Sequence, residues 1–135
     1  MARYPQFIFL SVTISGSGSS HRKDRNYMQR FRPDFIATVT YALPSHGGRT
    51  RPVHSGYQPV IRFNDSGYAT SAENVLTDRE QIYPGETAEV NITMQSVDLL
   101  SNALLVGQQF EIYEPPKLVG IGFIKQIVNK NLEKE

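Results

Sequence analysis

Between Phe35 and Leu43 the chain alternates: Phe35, Ala37, Val39 and Tyr41 share one phase, and Ile36, Thr38, Thr40 and Ala42 the other. A period of two puts the phases on opposite faces of an extended backbone, which predicts a half-buried strand. The run Tyr57 to Phe63 ends in Val60, Ile61 and Phe63 and predicts a second strand, with Pro59 suited to its start or to an edge. Asn64-Asp65-Ser66-Gly67 is a tight turn from which Tyr68 to Val75 returns antiparallel, so these two strands form a hairpin. Tyr83-Pro84-Gly85-Glu86 suits a type II turn, in which proline fixes φ at the second position and glycine accepts positive φ at the third. Ala88, Val90, Ile92 and Met94 then face one way along a further strand. Gln109 to Tyr113 and Leu118 to Val128 complete the set around the turn Pro115-Pro116-Lys117. In the last strand Val119, Ile121, Phe123 and Lys125 fall on one phase and Gly120, Gly122, Ile124 and Gln126 on the other. Paired glycines mark a bend or a close backbone approach, as where a sheet curls into a barrel.

Before this set, Ile8, Leu10, Val12 and Ile14 share a phase in a strand predicted from Tyr4 to Ile14, and Ser-Gly-Ser-Gly-Ser-Ser at 15–20 reads as a flexible linker. His21 to Arg32 is polar and basic and reads as an exposed arm or a long hairpin loop with room for a single helical turn, Pro33 disfavouring a helix through Arg32. One short helix of at most two turns is predicted after Asp98, its cap, with Leu100, Ala103 and Leu104 on one face and Gly107 ending it. The organisation expected is a strand and basic arm over 1–33, a β domain over 34–128 and a polar tail over 129–135. Many short alternating strands with glycine and proline turns argue for an all-β antiparallel barrel or sandwich.

Length and composition narrow the function. With 135 residues, 39% of them hydrophobic, the chain can bury one core but not two of ordinary size. It has no cysteine, which removes disulfides, zinc-thiolate sites and cysteine nucleophiles and fits a cytoplasmic protein. The first unbroken apolar run, Phe7 to Leu10, is too short for a signal-peptide core or a membrane span, so no membrane association is expected. The net charge of +1 hides a split: residues 1–62 carry nine Lys or Arg against two acids, the remainder five against eleven. Such a split can orient an anionic partner, or it can be a solvated arm.

No Gly-x-x-x-x-Gly-Lys-Ser/Thr loop is present, so there is no phosphate cradle for GTP. His21, His46 and His54 lie in loops, and no carboxylate sits near His46 and His54, which flank one loop, to complete a metal site or a charge relay. The chain is therefore expected to be non-enzymatic and to need no cofactor or metal. Arg49 and Arg51 project from the loop that Gly47 and Gly48 open; they can meet a ligand, or bind loop carbonyls and a neighbouring carboxylate. Tyr57, Phe63 and Tyr68 can stack on bases or belong to the core.

Gly47-Gly48-Arg49, then Gly56-Tyr57 with Pro59, Pro84-Gly85, Gln109-Phe110-Glu111-Ile112 and Val119-Gly120-x-Gly122 occur in the order found in the third domain of translation elongation factor Tu, which residues 35–128 resemble. The resemblance implies a six-stranded closed antiparallel β-barrel, here with an additional N-terminal strand and basic loop. That family's domain touches the T stem of aminoacyl-tRNA and packs against a GTPase domain. Thr50 stands where the family usually has histidine, Gln58 replaces an arginine, and Pro115-Pro116-Lys117 replaces Gly-Gly-Arg. Each lost arginine removes a bidentate donor for phosphate.

The reading is a non-catalytic module resembling that domain, which contacts tRNA or other structured RNA through Arg49, Arg51, Tyr57 and Lys117 and, outside the resemblance, through the basic arm residues Arg22, Lys23, Arg25, Arg30 and Arg32. The alternative is a protein contact: a detached translation-factor domain that docks to the factor's partners, or acts as a decoy or immunity-type protein.

Overall fold

The computed structural model describes residues 32–135; the expected strand Tyr4–Ile14, the linker, and Arg22, Lys23, Arg25 and Arg30 of the arm lie outside the described residues. The described strands are β1 (Phe35–Tyr41), β2 (Val53–His54), β3 (Val60–Phe63), β4 (Ala69–Leu76), β5 (Gln81–Ile82), β6 (Thr87–Met94), β7 (Gln109–Glu114) and β8 (Lys117–Ile127). Six of them close a barrel in the order β1-β6-β4-β3-β7-β8, with every neighbour antiparallel, while β2 and β5 pair separately. The alternation and turns left an all-β antiparallel barrel or sandwich open, and the structure is the closed six-stranded barrel that the resemblance implied. Closure leaves no barrel edge with unpaired backbone groups.

The alternating phases decide what fills the barrel. Phe35, Ala37, Val39 and Tyr41 of β1 face inward opposite Ala88, Val90, Ile92 and Met94 of β6, and all eight are buried. Phe35, Phe63 and Phe110 form a central trio of edge-on rings with centroids 5.6, 5.9 and 6.2 Å apart. Burying each ring contributes roughly 1.5–3 kcal/mol. Space for the trio comes from β8: a Cβ at Gly122 would lie 2.3 Å from Cζ of Phe110.

That glycine also settles which side of β8 faces out. Val119, Ile121 and Phe123 do not share a face as their spacing predicts. The register with β7 slips between Ile112 and Tyr113, so Val119 is an extra bulged residue; it is buried, while Ile121 and Phe123 point to solvent. β3 likewise starts at Val60 rather than Tyr57, which makes only an isolated bridge to Asn74.

The short helix expected after Asp98 does not form. Leu100 N–H donates to Val97 O (2.9 Å) and Ala103 N–H to Leu100 O (3.1 Å), two successive turns broken by Asn102 at φ 55°. Leu100 and Leu104 are nonetheless buried, because the last residues of the chain pack behind them. The amides of Ala103 and Leu104 donate to Leu132 O (2.9 and 2.8 Å), and Lys134 N–H returns to Leu104 O (2.8 Å). Residues 129–135 thus hold a 3-10 turn, Lys130–Leu132, with Leu132 buried, instead of a free polar tail. Asp34 ties this end to the barrel: its carboxylate accepts from Met94 N–H (2.7 Å) and Asn129 Nδ2 (3.1 Å). Among the described residues no helix is long and apolar enough to cross a membrane.

Candidate functional site

The loop between β1 and β2 opens with a 3-10 turn, Pro44–His46, and then doubles back on itself. Gly48 lies so close to the preceding strand that a Cβ there would fall 1.9 Å from Ala42 O. Only glycine fits, and the position of Arg49 follows from it. The Arg49 guanidinium donates to Arg51 O (Nε, 3.2 Å) and Pro52 O (Nη2, 3.3 Å) and forms an ion pair with Glu114 through Nη1. Its central carbon lies 4.7 Å from the ring centroid of Tyr57. The Tyr57 hydroxyl donates to Glu114 Oε2 at 2.5 Å, and its ring meets Tyr41 edge-on at 6.1 Å.

These groups tune one another. Burial alone would lower the Arg49 pKa, but the hydrogen bond to Glu114 and the neighbouring phenol raise it. Burial, then the hydrogen bond to Glu114, pushes the Tyr57 phenol above its ordinary value, and burial does the same to Tyr41. The neutral phenol and the charged guanidinium are therefore the stable forms. The Tyr41 hydroxyl is buried with no hydrogen-bond partner among the described residues.

Four of the residues singled out from the sequence come together at this end of the barrel. Arg49 and Tyr57 meet at Glu114, Lys117 stands opposite Glu114 in the β7–β8 hairpin, and Arg51 lends its carbonyl to Arg49. Their roles differ. Arg49 and Tyr57 are consumed inside the cluster, whereas Arg51 and Lys117 are exposed and make no ion pair with another described residue. Arg32 is exposed as well. Phe63 is inside the barrel and the Tyr68 hydroxyl is bonded to Ser96, so the three aromatic rings make no stacking platform. Glu114 was missed by sequence reasoning, because nothing in its spacing links position 114 to position 49.

A second surface was missed too. On the outside of β8, Leu118, Ile121 and Phe123 are 42%, 39% and 46% exposed. Ile121 sits between Thr40 of β1 and Glu111 of β7, Phe123 between Thr38 and Gln109, and Leu118 opposite Tyr113. An apolar strip thus runs along one strand between polar rows. Gly107 N–H donates to Ile124 O (2.7 Å), and Ile124 N–H to Gln108 O (2.9 Å), which brings the exposed Leu105 and Val106 to the Phe123 end. Gly120 and Gly122 carried the signal: with the inward positions taken by glycine, the large side chains between them belong outside. Lys117 and Lys125 lie on the same strand, and Glu111 beside Ile121 is paired with Arg62. No family model matches this chain.

Proposed function

We propose that this protein is a non-catalytic binding module that acts by protein contact, the outer face of β8 being its docking surface. The observation that carries this reading is the strip Leu118, Ile121 and Phe123, exposed on a closed barrel. Contiguous exposed apolar surface rimmed by polar residues marks interaction sites, and the closed barrel offers no edge of its own for strand addition. Arg51 and Lys117, exposed near the Leu118 end, favour a partner whose rim is acidic. The motif order shared with the third domain of elongation factor Tu fits a detached translation-factor domain that docks to that factor's partners. It equally suits a decoy of the factor.

The RNA reading loses two of its contacts, since Arg49 and Tyr57 are already paired with Glu114. Titration of folded tRNA, followed by fluorescence anisotropy at three salt concentrations, tests the choice. Protein contact predicts no saturable binding at physiological ionic strength. Saturable binding whose log–log salt slope flattens by about two units in an Arg51→Ala, Lys117→Ala double variant would restore RNA as the partner, since each phosphate contact contributes roughly 0.9.

A further inference from the structure

Away from the cluster at Glu114, the β3–β4 turn and the 97–108 loop enclose a groove of about 340 Å³, open to solvent and lined by Asp65, Tyr68, Leu99, Leu100, Leu104 and Gln108 among others. That is at the low end for small-molecule clefts, roughly 300–1,000 Å³, and suits one or two side chains. We infer that this groove is a second binding site, which takes a large apolar side chain flanked by Lys or Arg from a partner peptide.

The floor is preformed. Leu100 and Leu104 are buried and are held from behind by the backbone bonds between residues 103–104 and 132–134. Tyr68 clamps the other wall, its hydroxyl donating toward Ser96 O and Oγ at 3.2 and 3.1 Å. A site ordered in advance loses less entropy on binding. The rim carries Leu99, 77% exposed and the most exposed large hydrophobic residue among those described.

Charge selects the occupant. Asp65 lines the groove and Asp98 directly precedes Leu99; both are exposed, and neither pairs with a cation among the described residues. Among the described residues no Lys or Arg lines the groove. Arg62 has its tip 3.4 Å from where a Gly67 Cβ would lie and is engaged by Glu111 at 3.4 Å. Phosphates and acidic peptides are repelled from such a rim, and a cationic flank is attracted.

The test uses two labelled peptides, acetyl-Lys-Lys-Leu-Phe-Lys-Lys-amide and its counterpart with glutamate for every lysine, titrated into the ¹⁵N-labelled full chain. The lysine peptide should shift the amide signals of Gly67, Leu99 and Gln108 saturably, and the glutamate peptide should not. Asp65→Asn with Asp98→Asn should weaken the lysine peptide by about tenfold at low salt, as expected for two exposed ion pairs. Leu99→Ala should weaken it at every salt concentration. All three positions are exposed, and an unchanged spectrum elsewhere verifies the fold of each variant. Equal binding of both peptides, no binding of the lysine peptide, unchanged affinity in the aspartate variant, or shifts confined to Ile121 and Phe123 would each overturn the assignment.

Discussion

At Glu114 a guanidinium, a phenol and a carboxylate satisfy one another; on the outside of β8, three large apolar side chains stand exposed among the described residues. The charged cluster looks like a hook for a ligand in the sequence, and in the fold its donors and its carboxylate are paired with one another. A half-buried guanidinium needs acceptors, and the fold supplies three of them within the loop and the β7–β8 hairpin. The strip looks like core in the sequence and stands outside, because Phe110 fills the place its side chains would take. What this barrel leaves unmet on its surface is apolar contact, and that is the reason to look for a protein partner first.

The contrast is most sharply drawn by two phenylalanines on adjacent strands. Phe110→Ala removes a ring from the central trio and should cost about 3–5 kcal/mol in urea unfolding. Phe123→Ala, on the neighbouring strand but outside, should stay within about 0.5 kcal/mol. A large loss from Phe123→Ala would mean that the strip is already covered. Glu114→Gln comes next: it leaves Arg49 without its charged partner and weakens the acceptor for Tyr57. With both ion-pair members partly exposed, the expected loss is about 1 kcal/mol. A neutral result would return Arg49 to the list of residues available to a ligand.

The smallest effect is that of pH. The phenols of Tyr57 and Tyr41 are held above the ordinary 10.0 in the folded protein. A group whose folded pKa is raised contributes stability that is intact below its unfolded value and is lost as pH rises through the folded one. The denaturation midpoint should therefore hold up to about pH 10 and fall above it. Tyr57→Phe should make that alkaline fall shallower; an unchanged slope would show that burial and Glu114 do not hold the Tyr57 phenol above its ordinary value.

The strands and turns were legible from the sequence because their signal is local, whereas the choice of a closed barrel over a sandwich came from the resemblance. Phe35 to Tyr41 and Ala88 to Met94 alternate without interruption, and the turns at Asn64–Gly67 and Pro84–Gly85 are marked by residue type. The bulge at Val119 was not legible, since one extra residue shifts a phase without changing composition. Nor was the pairing of Arg49 with Glu114, which depends on the loop and the β7–β8 hairpin meeting 65 residues apart. The turns around Asn102 replaced the expected helix because backbone bonds to Leu132 outweighed a weak local preference. The end of the chain looked like a tail because only Leu132 among its residues is apolar.

The central claim is that β8, not the arginine loop, meets the partner. The direct measurement is photo-crosslinking in cells of the source organism, with p-benzoylphenylalanine replacing Phe123 in one variant and Arg51 in another. The account predicts a discrete adduct from position 123 that survives ribonuclease and is lost on protease treatment, with a weaker adduct or none from position 51. An adduct confined to position 51 and removed by ribonuclease would contradict it.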